Sequence, residues 1–171
     1  DTRLASYAAR LGSDCAFFIY NRPMTGRGRG EVLSPFDIDL SAFRIEVEVP
    51  QGISVNTRQA YAGMKPRQRE TPIEEILCRG VETWKETLEN DFEQTVFPAH
   101  PRLAAIKRAF YDKGALYASM SGSGTAVFGI FRKMPSDLLI STIKRNYQNI
   151  FVLQLHLNYF LEVNYLQDET P

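Results

Sequence analysis

The chain has 171 residues, 44% of them hydrophobic, and its 20 Lys and Arg residues balance its 20 Asp and Glu residues. This length can bury the core of one domain, or of one domain and part of another, and the zero net charge argues against a nucleic-acid partner. The sequence contains no apolar run of eighteen residues, so it predicts no membrane span. The two cysteines suggest no disulfide framework, which is typical of a cytoplasmic protein. The two histidines lack metal-ligand spacing, so we expect no metal site in the chain itself.

Residues 1–40 predict a helix, a buried strand and a hairpin arm. Apolar residues at helical spacing indicate a helix that Gly12 ends. These apolar residues are Leu4, Ala5, Ala8 and Leu11. The run DCAFFIY over 14–20 predicts a buried strand, residues 24–33 predict a glycine-broken hairpin arm, and residues 34–37 predict a loop at a domain boundary. Because the first helix begins without a cap, we expect the chain to be a fragment.

A strand and a short helix are predicted next. Residues 43–49 alternate between apolar and charged side chains, which predicts a strand with one solvent-exposed face. Asn56 or Thr57 is a good N-cap for a short helix that extends through Ala62. The polar residues 65–71 predict a loop after this helix.

Two further helices are predicted before residue 114. Thr71 as the cap, Pro72 at the first position and Glu74 at the third predict the start of one helix. Its apolar stripe comprises Ile73, Ile76, Leu77, Val81, Trp84 and Leu88. A second helix is predicted over 101–113, because apolar residues again recur at helical spacing. Its inner face comprises Leu103, Ile106, Ala109 and Phe110.

The last predicted elements complete the order of the fold. They are a hairpin over 115–120 and 125–131, a helix near 136–147 and a strand over 150–157. From residue 43 onward, the order is therefore strand, helices, two strands, helix and strand. This is the βαββαβ order of a ferredoxin-like α+β fold, with an extra helix in the first crossover.

The small-residue turn Ser121-Gly122-Ser123-Gly124 joins the two strands of the predicted hairpin. Its glycines can supply the positive φ values that tight hairpins need, so the turn by itself is typical of a hairpin. A backbone with so little side-chain bulk can also come close to an anionic group and present its N–H groups to a phosphate or diphosphate. The two interpretations are compatible.

The run from Met120 to Gly124 also resembles the third signature motif of the GHMP small-molecule kinases. Three more stretches resemble members of this family, and all of them occur in the family's order. These stretches are residues 11–18 together with 28–33, residues 55–61, and the cluster Asn90-Asp91-Phe92-Glu93. The first stretch departs from the family pattern at Ser13, Cys15 and Ala16, but the carboxylate between them is kept. The resemblance extends over roughly residues 4–160.

The resemblance implies roles for individual residues. Asp14 would be the catalytic carboxylate, which orients a substrate hydroxyl and takes its proton. Tyr61 would stack on the cytosine ring of the substrate, Thr57 would bind the substrate with a weaker match, and the turn Ser121-Gly122-Ser123-Gly124 would line the diphosphate region. The residues alone also allow a turn or cap role for Asp14, a core position for Tyr61, and a loop and helix-capping role for residues 90–93.

The resemblance implies a GHMP kinase C-terminal domain over residues 41–171, preceded by a remnant of the N-terminal domain over residues 1–40. The parent enzyme would use ATP and Mg²⁺ to phosphorylate the 2-hydroxyl of a small-molecule substrate that carries a cytidine diphosphate group, in non-mevalonate isoprenoid precursor biosynthesis. The family's two upstream signatures, which include the cradle for the ATP phosphates, do not occur in these 171 residues. We therefore expect this chain alone to be inactive, with apolar surface that favours a homodimer.

Two alternatives remain open at the level of sequence. One is another GHMP kinase, of the homoserine or mevalonate type, although the segments around Asp14 and over 90–93 favour the first interpretation. The other is a non-catalytic ferredoxin-like module that binds a ligand or a partner chain. Such a module would explain the βαββαβ order and the hairpin glycines, but not the sequence context of Asp14.

Overall fold

Two three-stranded sheets organise the described part of the chain in the computed structural model. The described residues are 2–12, 14–28, 30–64, 70–133 and 161–163. In the first sheet, β1 (Met24–Gly28) pairs antiparallel with β2 (Val32–Pro35) and parallel with β6 (Leu161–Val163). The predicted hairpin is confirmed, but its second strand continues through Ser34 and Pro35, which were predicted as loop.

The segment before this sheet forms two helices, α1 (Thr2–Ala9) and α2 (Cys15–Tyr20). The predicted strand over 14–20 is therefore wrong. A continuous apolar run carries no period that separates a buried strand from a buried helix. Here Phe17 is 1% exposed and Phe18 is 50% exposed, and α2 ends where the Asn21 N–H donates to the Phe17 carbonyl from a left-handed conformation.

Helix α1 is confirmed, but it ends three residues before Gly12, and its apolar residues divide into two groups. Ala5 and Ala8 are buried, and α1 packs against α2. Leu4 and Leu11, which were predicted on the same inner face, are 56% and 85% exposed. The spacing of apolar residues predicted the helix correctly, but the side chains buried in the structure are the small ones, Ala5 and Ala8, and not the leucines.

The second sheet has the strand order β3-β5-β4, formed by β3 (Phe43–Glu48), β4 (Tyr117–Met120) and β5 (Val127–Arg132). β5 is antiparallel to both neighbours, so β3 and β4 are parallel with β5 between them. This is the split βαβ arrangement, and it confirms the α+β class. The helix predicted near 136–147 and the strand predicted over 150–157 lie outside the described residues.

Three short α-helices and a 3₁₀ turn follow β3 along the chain. They are α3 (Thr57–Gly63), α4 (Ile73–Cys78), a 3₁₀ turn (Val81–Thr83) and α5 (Trp84–Thr87). The structure thus breaks the single helix predicted after Thr71, and helix α4 starts one residue later than predicted, with Pro72 at the N-cap position. The break falls at Gly80, whose φ of 92° no continuing helix contains. Every residue of the predicted stripe is nevertheless buried.

Helices α6 (Glu93–Ala99) and α7 (Pro101–Asp112) lead back to the sheet. Helix α7 is confirmed, with Pro101 at the first turn, where its missing N–H is not needed. Its predicted inner face is buried at Leu103, Ile106 and Phe110, but Ala109 is exposed. Helix α6 was not predicted, since the sequence indicated only a capping cluster ahead of it. No helix among the described residues is long and apolar enough to cross a membrane.

The second sheet is covered on both faces, because successive residues of a strand point to opposite sides. The first core cluster, against α6 and α7, comprises Ala60, Phe92, Val96, Leu103, Ile106, Phe110, Ala115, Ala118, Met120, Val127 and Phe131. The second core cluster, against α4 and α5, comprises Ile73, Ile76, Leu77, Val81, Trp84, Leu88, Tyr117, Phe128 and Ile130. The predicted exposed face of β3 is half-buried, since Arg44 pairs with Glu46 and lies 4.9 Å over the Phe131 ring.

Candidate active site

The turn between β4 and β5 has the backbone that its glycines predicted. Gly122 and Gly124 have φ values of 54° and 100°. The Ser121 N–H donates to the Ala126 carbonyl at 2.8 Å, and the Gly124 N–H donates to the Ser121 carbonyl at 3.0 Å. A Cβ at Gly124 would lie 3.1 Å from the Met120 sulfur, so a larger residue there would need both a small shift of this side chain and a positive φ.

Two N–H groups at the tip of this turn remain available. Among the described residues, the backbone N–H groups of Gly122 and Ser123 donate to no acceptor, whereas those of Ser121 and Gly124 are used inside the turn. Gly122 is buried and Ser123 is half-buried. Because backbone donors that lie apart from water require a partner, two adjacent free donors in a small-residue turn are suited to an anion.

The carbonyl side of the turn is held by Asn90, which is 7% exposed. Its side-chain amide donates to the Met120 carbonyl at 2.8 Å and to the Gly122 carbonyl at 2.9 Å. Its Oδ1 accepts the Phe92 N–H at 3.0 Å. Asn90 therefore anchors the turn to the segment that precedes α6.

Glu93 anchors the adjoining strand in the same way. One carboxylate oxygen accepts the Ser119 hydroxyl and the Met120 N–H, both at 2.8 Å, and the other pairs with Lys107 at 2.5 Å. β4 is the end strand of the described sheet, so the outward backbone groups of Met120 would otherwise lack partners. Asn90 and Glu93 together satisfy them. Asn90 and Glu93 thus have structural contacts, but these hold β4 and the turn, whereas the sequence predicted a loop and helix-capping cluster over 90–93.

Two predicted substrate-binding residues on α3 lie beside the same region. The Thr57 hydroxyl oxygen is 3.5 Å from the Ser123 hydroxyl oxygen. Asn56, and not Thr57, caps the helix, since its side chain accepts the Gln59 N–H at 3.2 Å. The Tyr61 ring lies edge-to-face on Phe92, with 4.8 Å between ring centroids, and is half-buried against the first core cluster. One side of the Tyr61 ring thus packs on the core, as the sequence allowed, and the ring as a whole is still partly accessible to solvent.

Asp14 lies in the other half of the described chain, immediately before α2. It is exposed, and its side chain makes no capping hydrogen bond to the helix. The cap role that the sequence allowed for Asp14 is therefore not fulfilled by its side chain. The catalytic role of Asp14 stays a prediction.

Tyr111 of α7 also contacts β4. Burial raises the pKa of the Tyr111 hydroxyl, which stays protonated and donates to the Ala118 carbonyl at 3.2 Å. Tyr111 therefore adds another side-chain contact to β4. Within the described ranges, no three His, Cys, Asp or Glu side chains are grouped so that they could hold a metal ion.

The sequence indicated the cluster at 90–93 but not what it binds. Asn90 lies 30 residues before Met120, and Lys107 lies 14 residues after Glu93. Hydrogen bonds over such separations leave no local pattern in a single sequence. The polar run from Glu89 to Thr95 does not mark Asn90 and Glu93 as the two side chains that bind β4.

Comparison with known proteins defines the class of this fold and site. Residues 73–149 match the family described as GHMP kinases C terminal. The matched residues include Asn90, Glu93 and the turn at 121–124. The resemblance seen in the sequence is confirmed.

The relatives belong to one enzyme of that family. The chain is 45% identical over 131 residues to 4-diphosphocytidyl-2-C-methyl-D-erythritol kinase of Bacteroides fragilis, covering 77% of this chain and 47% of that protein. It is 46% identical over 137 residues to the enzyme of the same name from Porphyromonas gingivalis, covering 79% of this chain and 50% of that protein. The chain thus spans about half the length of the curated relatives that it matches.

A solved structure shows the same similarity in three dimensions. The chain superposes on the crystal structure of 4-(cytidine 5'-diphospho)-2C-methyl-D-erythritol kinase with a TM-score of 0.65 and 27% sequence identity. The superposition covers 84% of this chain and 53% of that chain.

Proposed function

We propose that the whole protein containing these residues transfers the γ-phosphoryl group of ATP to the 2-hydroxyl of 4-diphosphocytidyl-2-C-methyl-D-erythritol. The names of the relatives support this substrate, and the kinase C-terminal domain supports the reaction class. The observation that carries the proposal is the turn at 121–124, which presents two free N–H groups beside a residue of α3. We place the reaction in non-mevalonate isoprenoid precursor biosynthesis in the cytoplasm.

In this proposal the turn binds the diphosphate of the substrate. The N–H groups of Gly122 and Ser123 would donate to diphosphate oxygens, and the hydroxyls of Ser123 and Thr57 would add further donors. The glycines matter because a bulkier turn would hold the anion away from the backbone. Ser121 and Gly124 shape the turn through their own internal hydrogen bonds.

Tyr61 would supply the platform for the cytosine ring. Phe92 fixes the orientation of the Tyr61 ring from the core side, while the ring stays partly accessible. A base stacked on an aromatic face gains about 1–3 kcal/mol without any base-specific hydrogen bond. The base and the diphosphate would then lie on adjacent parts of one surface, since α3 also carries Thr57 next to Ser123.

Asp14 would act as the general base. Its exposed position before α2 leaves the carboxylate accessible to a substrate hydroxyl. A carboxylate in this role orients the hydroxyl and accepts its proton as the phosphoryl group is transferred. The proposal requires Asp14 and the turn at 121–124 to face one pocket in the whole protein.

ATP and Mg²⁺ are the cofactors that the kinase family implies. Mg²⁺ bound with ATP neutralises charge on the phosphate oxygens. In the described parts of the chain, no cluster of three ligand side chains could hold the ion on its own, which fits an ion bound mainly by phosphates. We propose residues 1–40 as part of the N-terminal kinase domain and residues 41–171 as the C-terminal domain, with β6 pairing to β1 between the two ranges.

The test is an assay of the whole protein with ATP, Mg²⁺ and 4-diphosphocytidyl-2-C-methyl-D-erythritol. Asp14→Asn should lower kcat by about 100-fold or more, which is the usual contribution of a general base. Asp37→Asn, which changes another exposed carboxylate in the same way, should leave kcat within about twofold. Near-wild-type activity of Asp14→Asn would remove the catalytic role of Asp14. Turnover of homoserine or mevalonate instead would point to another GHMP kinase, and ligand binding without turnover would point to a binding module.

A further inference from the structure

We infer that Asn90 is a positioning residue, which sets the direction of the Ser123 N–H group at the anion-binding turn; this rests on the proposed function of that turn. Asn90 itself is buried and its polar atoms are used within the protein, so it does not touch substrate. Its effect would be exerted through the peptide plane between Gly122 and Ser123.

The geometry of the peptide bond carries the inference. The Gly122–Ser123 peptide bond is trans, so the Gly122 carbonyl and the Ser123 N–H point in opposite directions from one plane. The Gly122 carbonyl accepts the Asn90 amide at 2.9 Å on the core side. The Ser123 N–H must therefore point away from Asn90 and the core, towards the side where an anion could approach.

The same amide also fixes the peptide plane between Met120 and Ser121, but there the N–H group is used inside the protein. The Met120 carbonyl accepts the other hydrogen bond from Asn90 at 2.8 Å, and the Ser121 N–H on the far side of that plane donates to the Ala126 carbonyl. The plane at 120–121 thus helps to close the hairpin, whereas the N–H group of the plane at 122–123 donates to no acceptor among the described residues. A single planar amide with two donors can hold both carbonyls at once, which a hydroxyl with one donor cannot do.

Asn90 is in turn held in one orientation. Its Oδ1 accepts the Phe92 N–H at 3.0 Å, so the Nδ2 atom is directed at the two carbonyls and the amide cannot be flipped without losing all three hydrogen bonds. Because φ at glycine is intrinsically free, the hydrogen bonds of the Ser121 and Gly124 N–H groups do not by themselves determine the plane at 122–123. Asn90 supplies the missing constraint.

The experiment uses the whole protein and compares the wild type with Asn90→Asp and with a control variant by nuclear magnetic resonance. Asn90→Asp keeps the side-chain volume and the acceptor for Phe92, and removes the donors to Met120 and Gly122. Tyr117→Phe is the control, since it also removes a buried hydrogen bond from β4, at 3.2 Å to Leu88, but leaves the turn alone. Residual dipolar couplings report the direction of the Ser123 N–H vector, and cytidine 5'-diphosphate is the anionic probe.

Asn90→Asp should change the dipolar coupling of the Ser123 N–H and weaken binding of cytidine 5'-diphosphate by about tenfold or more, the equivalent of one charge-assisted hydrogen bond. Tyr117→Phe should change neither quantity by more than about twofold. An unchanged Ser123 coupling in Asn90→Asp overturns the positioning role, whether or not the probe binds. A changed coupling together with a wild-type whole protein that does not bind the probe supports the positioning of the N–H and instead refutes the diphosphate site of the proposed function.

Discussion

Replacing Glu93 by Gln should reveal how strongly the β4 edge depends on one buried carboxylate. Glu93 is 12% exposed, and it accepts two hydrogen bonds in addition to its ion pair with Lys107, which is 23% exposed. Hydrogen bonds to charged groups contribute about 1.5–3 kcal/mol against about 0.5–1.5 kcal/mol for neutral ones, so two of them should lose about 2 kcal/mol in total. Loss of the partly screened pair with Lys107 should add about 1 kcal/mol. We therefore expect Glu93→Gln to lower the free energy of unfolding by about 3 kcal/mol.

Urea denaturation followed by circular dichroism provides the assay, with Glu82→Gln as the matched control. Glu82 pairs with Arg132 at the same 2.5 Å, but the two side chains are 45% and 65% exposed. An exposed pair contributes about 0.2–1 kcal/mol. With an m value of about 2 kcal/mol per molar urea, the midpoint should fall by about 1.5 M for Glu93→Gln and by less than about 0.5 M for Glu82→Gln. Equal shifts for the two variants would refute the argument that burial and shared hydrogen bonds set the difference.

Three further predictions test other parts of the structure. Gly124→Ala should lower the free energy of unfolding by about 2–3 kcal/mol, and Gly52→Ala should lower it by about 1 kcal/mol. Both glycines have positive φ, but only a Cβ at Gly124 would meet a neighbouring side chain, at 3.1 Å. Equal urea midpoints for the two variants would contradict the crowding at the turn. Leu103→Ala should cost about 2–5 kcal/mol by the same assay, because Leu103 is 0% exposed in the first core cluster, and a loss below about 1 kcal/mol would show that this core can collapse around the gap. The pKa of Asp39 should lie below its usual value, chiefly because the Ser41 N–H donates to the Asp39 carboxylate. The small stabilisation of the fold by this contact is therefore present above the unfolded pKa of about 3.9 and is lost as pH falls through the lower folded pKa. Carbon-detected titration should show this shift persisting in part in Ser41→Ala, which keeps the backbone donor; a pKa at or above the usual value would exclude the contact.

The predictions from sequence succeeded where one local period decided the outcome. The alternation over 43–49 predicted β3, and helical spacing after Pro101 predicted α7. Prediction failed over 14–20, because an unbroken apolar run has no period, and burial of Phe17 but not Phe18 depends on contacts with α1. The apolar stripe after Thr71 identified the buried residues correctly even though Gly80 divides the helix, since burial needs only that side chains reach the same face.

The candidate site divides in the same way. Its small-residue turn was predictable as a turn, because glycines supply the positive φ values that a tight turn between two strands requires. Its support was not predictable, since Asn90 and Glu93 act through hydrogen bonds to residues 26–32 positions away. Family resemblance, rather than any physical pattern in the chain, suggested Asp14 and Tyr61 as functional residues.

By itself, then, the amino-acid order determined the α+β class, the strand–turn–strand segment at 117–132 and the small-residue turn within it, since each depends on neighbours along the chain. Only the tertiary structure decided which side chains hold that bend. The buried amide of Asn90 and the carboxylate of Glu93 meet β4 because packing of α6 and α7 on the sheet brings distant polar groups together. Away from water, those groups must find partners within the protein, and among the described residues the backbone N–H groups of Gly122 and Ser123 are left without an acceptor.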